Sequence, residues 1–533
     1  MPGLRTLSLV ALLLLSPLAR AGEKPLRQII DAEVKKGWQA EKITPAGRAS
    51  DSVFLRRVYL DLVGVVPSYE ETTTFLKDTD PAKRDKLIEK LLNDPRYGPQ
   101  QAHVWDLVLF GRHPQNITDT RKRDNFTKWL GEQFTKNQPY DQIVKKLLTA
   151  EEDGSQLFYV QYRNAPEEAA TAVSRVFLGT QLQCARCHDH PFEHWTQKDF
   201  FGMAGFFVRL VVIDGGGAEG KKKFKIGEKS TGDVLFAGSI KELKPGMKGD
   251  PVKPKFLGGV ELKEPTMPKD FKDPVVKGNA SYPKPAFSRK EKLVEWITAK
   301  ENPYFARALA NRAWSHLMGR GFVHPVDDFN DKNTPSHPAL LKAIEAGLVE
   351  HKFDMKWLIR EIVSSDAYQI GDDGQVTDAL PRYYERARVR PMSAEELMAS
   401  IGVATNMGTD WTSKAGDAST EFMLRYFGEP NDGQGNFQGS LAEHLFLNNS
   451  GAVRRLGQAQ ARKGNLADTI LTSKDPWEAK VDRLFVSVLC RTPMVAERDR
   501  FVKHLSSDAK MAPALVEEAI WVLISCSEFR FNH

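Results

Sequence analysis

Cysteine is scarce in this chain, with four residues in 533. Four is too few for the disulfide scaffold on which small secreted domains depend. Long apolar runs are equally rare. Beyond residue 21 no stretch is long and apolar enough to be a membrane-spanning helix. There is no large excess of either charge. The formal net charge of +6, from 75 basic and 69 acidic residues, is mild for this length and gives no argument for nucleic acid as a partner, which the export signal described next argues against. No internal repeat of fixed period runs through the chain. No G-x-S-x-G, H-E-x-x-H or phosphate-binding loop names a reaction. Gly319-x-Gly321 has no Rossmann-like surroundings and reads as a helix-ending turn. The remaining composition is that of a globular protein, 41% hydrophobic and 27% charged, long enough for two or three domains.

The N-terminus is the exception to the lack of apolar runs. One positive charge in Met1–Arg5 precedes the nearly wholly apolar Thr6–Leu18, and Ala19-Arg20-Ala21 follows as small-x-small. This order predicts a signal peptide, residues 1–21, cleaved before Gly22, and a periplasmic or secreted mature protein. A retained membrane anchor is the alternative.

Two of the cysteines lie in Cys184-Ala185-Arg186-Cys187-His188. In an exported chain, C-x-x-C-H reads as a c-type haem attachment site. The spacing suits two thioether bonds along one porphyrin edge, with the following imidazole under the iron. Cys184 and Cys187 are then the attachment points and His188 the proximal ligand. Met203 is the first distal candidate and His103 the second. An open sixth position is the remaining possibility. The same stretch also reads as C-x2-C-x2-H-x3-H, through His190 and His194, a ligand set that suits zinc. A local disulfide between Cys184 and Cys187 is a third reading. Asp189, His190, Glu193 and Trp195 crowd the run; either they serve a haem, or Pro191, Phe192 and Trp195 simply anchor the loop. Cys490 and Cys526 sit in apolar runs and read as core residues, although sequence does not exclude their pairing.

Periodicity predicts a mainly α protein. Helices are expected after Asp51-Ser52, after a Ser68/Glu71 capping box, after Asp80-Pro81, over Tyr140–Leu148, and over Pro166 to about Gln183, which delivers the chain into Cys184. A short aromatic helix follows at Gln197–Phe207. The Gly-, Lys- and Pro-rich segment 210–287 predicts a small β-containing insert, with strands near Asp233–Phe236 and Lys255–Leu257. Its run Lys221–Lys223 reads as a solvated face or an anion site. A capping box at Ser288/Glu291 restarts the helices, which continue to the C-terminus. The expected division is therefore 22–209, 210–287 and 288–533. In the last part Asn311, Arg312, His316, His324, Asp327, Asp328 and His337 form a polar cluster. His324 or His337 is a candidate base beside the two carboxylates. The competing reading pairs Arg312 with Asp327 or Asp328 as a buried structural ion pair. Ser336 is expected to cap a helix begun by Pro338.

Longer stretches carry a family likeness. Asp51–Ser68 (DSVFLRRVYLDLVGVVPS), Leu91–Gly98 (LLNDPRYG) and Cys184–Phe207 (CARCHDHPFEHWTQKDFFGMAGFF) resemble the cytochrome-c-associated N-terminal domain of secreted planctomycete proteins. Asn302–Arg312 (NPYFARALANR), Gly319–Phe329 (GRGFVHPVDDF), Asn333–Leu341 (NTPSHPALL), Ile362–Tyr368 (IVSSDAY), Arg390–Leu397 (RPMSAEEL) and Ser527–His533 (SEFRFNH) resemble the planctomycete-specific domain that follows it. This chain differs from longer members in having no additional N-terminal C-x-x-C-H. The resemblance implies an association with cytochrome c that itself rests on the C-x-x-C-H run. The expectation is an extracytoplasmic c-type cytochrome-like electron carrier with an unidentified redox partner. The alternatives are a haem-free binding or scaffold protein with a metal site or disulfide, and an accessory protein or hydrolase in polysaccharide breakdown.

Overall fold

The computed structural model describes residues 24–112, 116–120, 122–190, 193–218, 221–236, 249–268, 270–278, 280–372, 381–408, 411, 417–427 and 441–533. The expected signal peptide and its cleavage point lie outside the described residues, as do Pro191 and Phe192. The protein is mainly α. Its described strands pair into two-stranded antiparallel sheets.

The helix Asp51–Val63 shows why the sequence folds as it does. Ser50 accepts a hydrogen bond from Val53 N at 3.3 Å and starts the helix, and Gly64 ends it in the left-handed region at φ 70°. Phe54, Val58 and Leu62 recur at helical spacing and are fully buried, each contributing about 1.5–3 kcal/mol of apolar transfer. The opposite face is buried too. Leu60 joins a second hydrophobic cluster, while Arg56, Arg57 and Asp61 are almost wholly removed from water. One cluster runs from Leu26 to Tyr384 and so includes helices on both sides of the 210–287 segment. The other is built from Met392 to Phe529 with Leu60 and Val66. The Asp51–Val63 helix stands between them.

Most helix boundaries follow the sequence pattern. The Ser68/Glu71 capping box forms and starts Tyr69–Lys77. Pro338 begins the helix Pro338–Glu350, as its first-turn position in the sequence predicts. Four details differ. The helix after Asp80-Pro81 is Lys83–Leu92, with Ala82 at its N-cap; the Asp80 carboxylate accepts from Ala82 N before the helix begins. The helix from Pro166 stops at Leu178, because Gly179 turns left-handed at φ 65° and a Cβ there would lie 2.9 Å from the Phe329 ring. Ser288 caps Arg289–Ile297, but its partner is Glu228, whose carboxylate accepts from Arg289 N and Lys290 N. His337, with no side-chain cap, occupies the N-cap before Pro338; the Ser336 hydroxyl is engaged by His337 Nδ1 at 3.0 Å.

The insert contains Leu210–Gly216 paired with Lys223–Glu228, and Val234–Phe236 paired with Asp250–Val252. Lys255–Leu257 is not a strand; it makes one bridge, Lys255 to Glu261. Lys222 of the lysine run pairs with Asp119 at 2.7 Å. The insert is fastened to the helices by Arg289, which is 1% exposed and donates to the Gly205 and Gly232 carbonyls and to Asp233 and Glu264.

Replacing Arg289 by Met removes its hydrogen bonds to Asp233, Glu264 and two carbonyls and leaves Arg209 as the remaining guanidinium beside the two carboxylates. The expected loss is about 1.5–3 kcal/mol by chemical denaturation, with new protease cleavage inside 210–287. Unchanged stability and an unchanged digestion pattern would show that the insert is held by other contacts.

Candidate functional site

After Gly179 the chain runs through Leu182, which is fully buried, into the 3-10 turn Gln183–Arg186. Ala185 points into the core and anchors the turn. That register leaves Cys184 and Cys187 on the outside. Both are exposed, with their sulfurs unpaired. Arg186 pairs with Glu168 at 2.7 Å and ties the turn to the helix Pro166–Leu178. Gln197 closes the far side of the loop: its N–H donates to Asp189 Oδ1 at 2.9 Å, and its amide to the Arg186 carbonyl at 3.3 Å.

His188 is exposed, and its Nδ1 lies 2.7 Å from the Asp189 carbonyl oxygen. A carbonyl can only accept, so Nδ1 carries the proton. With Nδ1 so engaged, Nε2 is the ring nitrogen left to face a metal, the arrangement a metal-bound imidazole uses. The residues present fit a covalently attached haem: two unpaired exposed thiols at the required spacing, followed by an imidazole whose Nδ1 is held by a backbone carbonyl.

The other sequence candidates lie elsewhere. Met203 is fully buried on the helix Gln197–Ala204, amid the core that includes Phe200 and Phe206. His103 is held by Ser393 at 3.2 Å and Glu395 at 3.4 Å. His190 donates its N–H to the Trp195 carbonyl at 2.8 Å, which closes the loop. His194 is exposed, and its ring centroid lies 4.0 Å from that of buried Trp195. The four residues of the zinc pattern do not converge. Among the described residues, the trio whose ligand atoms all lie within 4.8 Å of one another is Glu193, His194 and Asp331. Asp331 arrives from 138 residues away, and its N–H donates to Glu193 at 3.2 Å. Nothing in the linear pattern signals it.

The polar cluster of the second half does not act as one group; Asp327 alone of it reaches the segment that leads into the cysteine loop. Asp327 is buried and accepts from Arg175 at 3.3 Å and Gln181 Nε2 at 3.1 Å, with Arg312 at 3.9 Å. Phe329 N donates to the Gly179 carbonyl at 3.1 Å. Asp328 turns away toward Asn330 and Asn333, so the adjacent carboxylates do not face a common point. Asn311 organises the same loop from the core, donating to the Val323 and Val326 carbonyls. His337 is a core residue. Its Nε2 is buried without a partner and would touch a Cβ on Gly37 at 2.8 Å. Burial, with help from Arg382, pushes its pKa down to about 4. Burial also lowers the pKa of His324.

Cys490 and Cys526 are both unpaired. Cys490 is fully buried, with Arg56 Nη1 3.9 Å from its sulfur, and burial pushes its thiol up.

Residues 29–211 match the family model PSCyt2, a protein of unknown function (DUF1549), and residues 289–423 match PSD1, a protein of unknown function (DUF1553). No curated protein and no solved structure matches the chain.

Two measurements follow from this geometry. In the folded protein, without reductant or cofactor, Cys184 and Cys187 react quickly with a thiol reagent and Cys490 does not; equal rates for all thiols would contradict the exposure pattern. For His337, the unfolded ring titrates near 6.5 and the folded one near 4, so the folded state holds fewer protons between these values. Its contribution to stability, about 3 kcal/mol, is complete above pH 6.5 and is lost as the pH falls toward 4. His337→Gln removes that slope from a plot of stability against pH.

Proposed function

For a chain that joins a PSCyt2 domain to a PSD1 domain, we propose an extracytoplasmic c-type cytochrome-like protein that carries covalent haem and passes electrons to a partner protein. The supporting observation is the exposed pair of unpaired thiols beside an imidazole whose Nδ1 proton is committed to a carbonyl. Cys184 and Cys187 are the thioether positions and His188 Nε2 the iron ligand. When bound, the haem supplies a one-electron couple. The chain's own part is positional. Ala185 and Leu182 hold the turn to the core, and the Asp189 carbonyl fixes the tautomer of His188. Asp327 fixes the segment that leads into Cys184, through Arg175 and Gln181. Met203 packs as core filler and is not assigned as a ligand. Location outside the cytoplasm, the compartment of haem attachment, rests on the N-terminal pattern of residues 1–21.

A second reading has its own support. Glu193, His194 and Asp331 present one imidazole and two carboxylates, a donor set suited to zinc or another divalent cation. It makes the loop a metal-braced scaffold, with no electron transfer.

Expression in a host able to attach haem separates the two. The first reading expects a Soret band, a haem stain that survives denaturing gels, and loss of the low-spin spectrum in His188→Ala. Colourless protein with free or merely disulfide-joined thiols overturns it. Colourless protein carrying one zinc per chain, lost in His194→Ala, establishes the scaffold reading instead.

A further inference from the structure

Away from the cysteine loop, a cavity of about 310 Å³ opens between the two family-matched regions. That volume is in the range of small-molecule sites, which favour the joins between domains. Asp31, Lys35 and Trp38 of the helix Leu26–Ala40, with Ala46 and Arg48 just beyond it, line one side. Asp366, Ala367 and Ile370, from the loop after the helix Met355–Val363, line the other.

The walls are fixed in place. Ala49 N donates to the Gln369 carbonyl at 2.9 Å and Gly371 N to the Gly47 carbonyl at 2.7 Å, so the two segments pair as a short antiparallel bridge. The Trp38 indole N–H donates to the Tyr383 carbonyl at 2.7 Å and holds the ring in one orientation. A site held in this way loses little freedom when a ligand enters.

Its charges balance in number but not in pairing. Two carboxylates, Asp31 and Asp366, and two cations, Lys35 and Arg48, line the cavity. Lys35 and Asp366 form a loose pair at 3.8 Å, both more than half exposed. Asp31 is half-buried and has no ion pair among the described residues. Its carboxylate accepts from backbone N–H groups, that of Ala367 at 3.0 Å among them. Burial raises its pKa, as expected of a carboxylate short of positive charge. Arg48 is the converse. It is exposed, its Nη2 donates to Gln369 Oε1 at 2.9 Å, and no carboxylate among the described residues pairs with it. Gln369 is itself oriented, because its Nε2 donates to the Val363 carbonyl at 3.2 Å. The guanidinium is therefore steadied at one corner, with its other N–H groups left for an acceptor.

We propose that this cavity binds a free α-amino acid with an apolar side chain, as its zwitterion. The ammonium donates to the Asp31 carboxylate, and the α-carboxylate accepts from the Arg48 guanidinium. The side chain lies against Trp38, Ala46, Ala367 and Ile370. A simple cation would leave Arg48 unmatched, and a simple anion would leave Asp31 unmatched. A ligand carrying both charges on one carbon answers both. The site is independent of the cysteine loop and of any haem.

Calorimetric titration of the full protein with L-leucine, L-methionine and L-phenylalanine is the test. The expected result is saturable binding of at least one of them. Its N-acetyl and carboxamide derivatives, each lacking one charge, bind at least about tenfold more weakly. Asp31→Asn, which keeps an oxygen for Ala367 N, and Arg48→Gln each weaken binding by a similar factor, with the ligand-free melting temperature unchanged. No heat with any of the three amino acids overturns the proposal. So does equal binding of the derivatives, or binding indifferent to both substitutions. If a variant fails to fold, the derivative series on the unaltered protein decides by itself.

Discussion

The fold depends on a buried carboxylate, Asp61, in the middle of a helix that has no solvent face. It is 2% exposed and receives hydrogen bonds from a tyrosine hydroxyl, a guanidinium and a carboxamide that come from three distant parts of the chain. A carboxylate without these partners would be too costly to bury. The neighbouring Arg56 and Arg57 obey the same rule, with Arg56 Nη2 donating to the Phe529 carbonyl at 2.5 Å. The helix is therefore stable only when the C-terminal strand is docked on it. Its burial from all sides joins the two hydrophobic clusters in one molecule. Glu396 belongs to this knot. Burial alone would raise its pKa, but the Arg390 charge and the Ser393 N–H outweigh that and hold it at about 2. Glu396 is thus ionised throughout the neutral range.

The cysteine loop depends on a similar long-range dependence. Its exposed thiols sit on a turn that is too short to hold a shape alone. Buried Leu182 and Ala185 pin it from below. Asp327, Phe329 and Asp331, all from one loop of the second half, grip the residues before and after it. Asp327, part of the polar cluster that resembles an acid/base constellation in sequence, is used in this grip. The two matched regions therefore meet physically at the C-x-x-C-H loop.

Much of the secondary structure could be read from the residues because it is decided locally. Apolar stripes at helical spacing, the Ser68/Glu71 box and Pro338 each act within one turn. The failures have equally specific causes. The helix before Cys184 ends early because Phe329, distant in sequence, leaves no room for a side chain at Gly179. The Ser288 cap is shared with Glu228, which only tertiary packing brings near. The spacing of Cys184, Cys187, His190 and His194 suggests four ligands, but the 3-10 turn and the Trp195 closure send them in different directions.

The amino-acid order alone determined most of the helices, the C-x-x-C-H spacing and the placing of a Gly- and Lys-rich segment between the two halves, since these rest on periodicity, spacing and turn residues. Tertiary structure alone decided that the two halves share a core, that Cys184 and Cys187 lie exposed, that Asp327 holds the segment leading into the cysteine loop, and that Asp331 meets His194. The physical reason is that buried charges and orphaned polar atoms are satisfied by whichever groups folding brings within hydrogen-bond reach. Those partners lie hundreds of residues away as often as four.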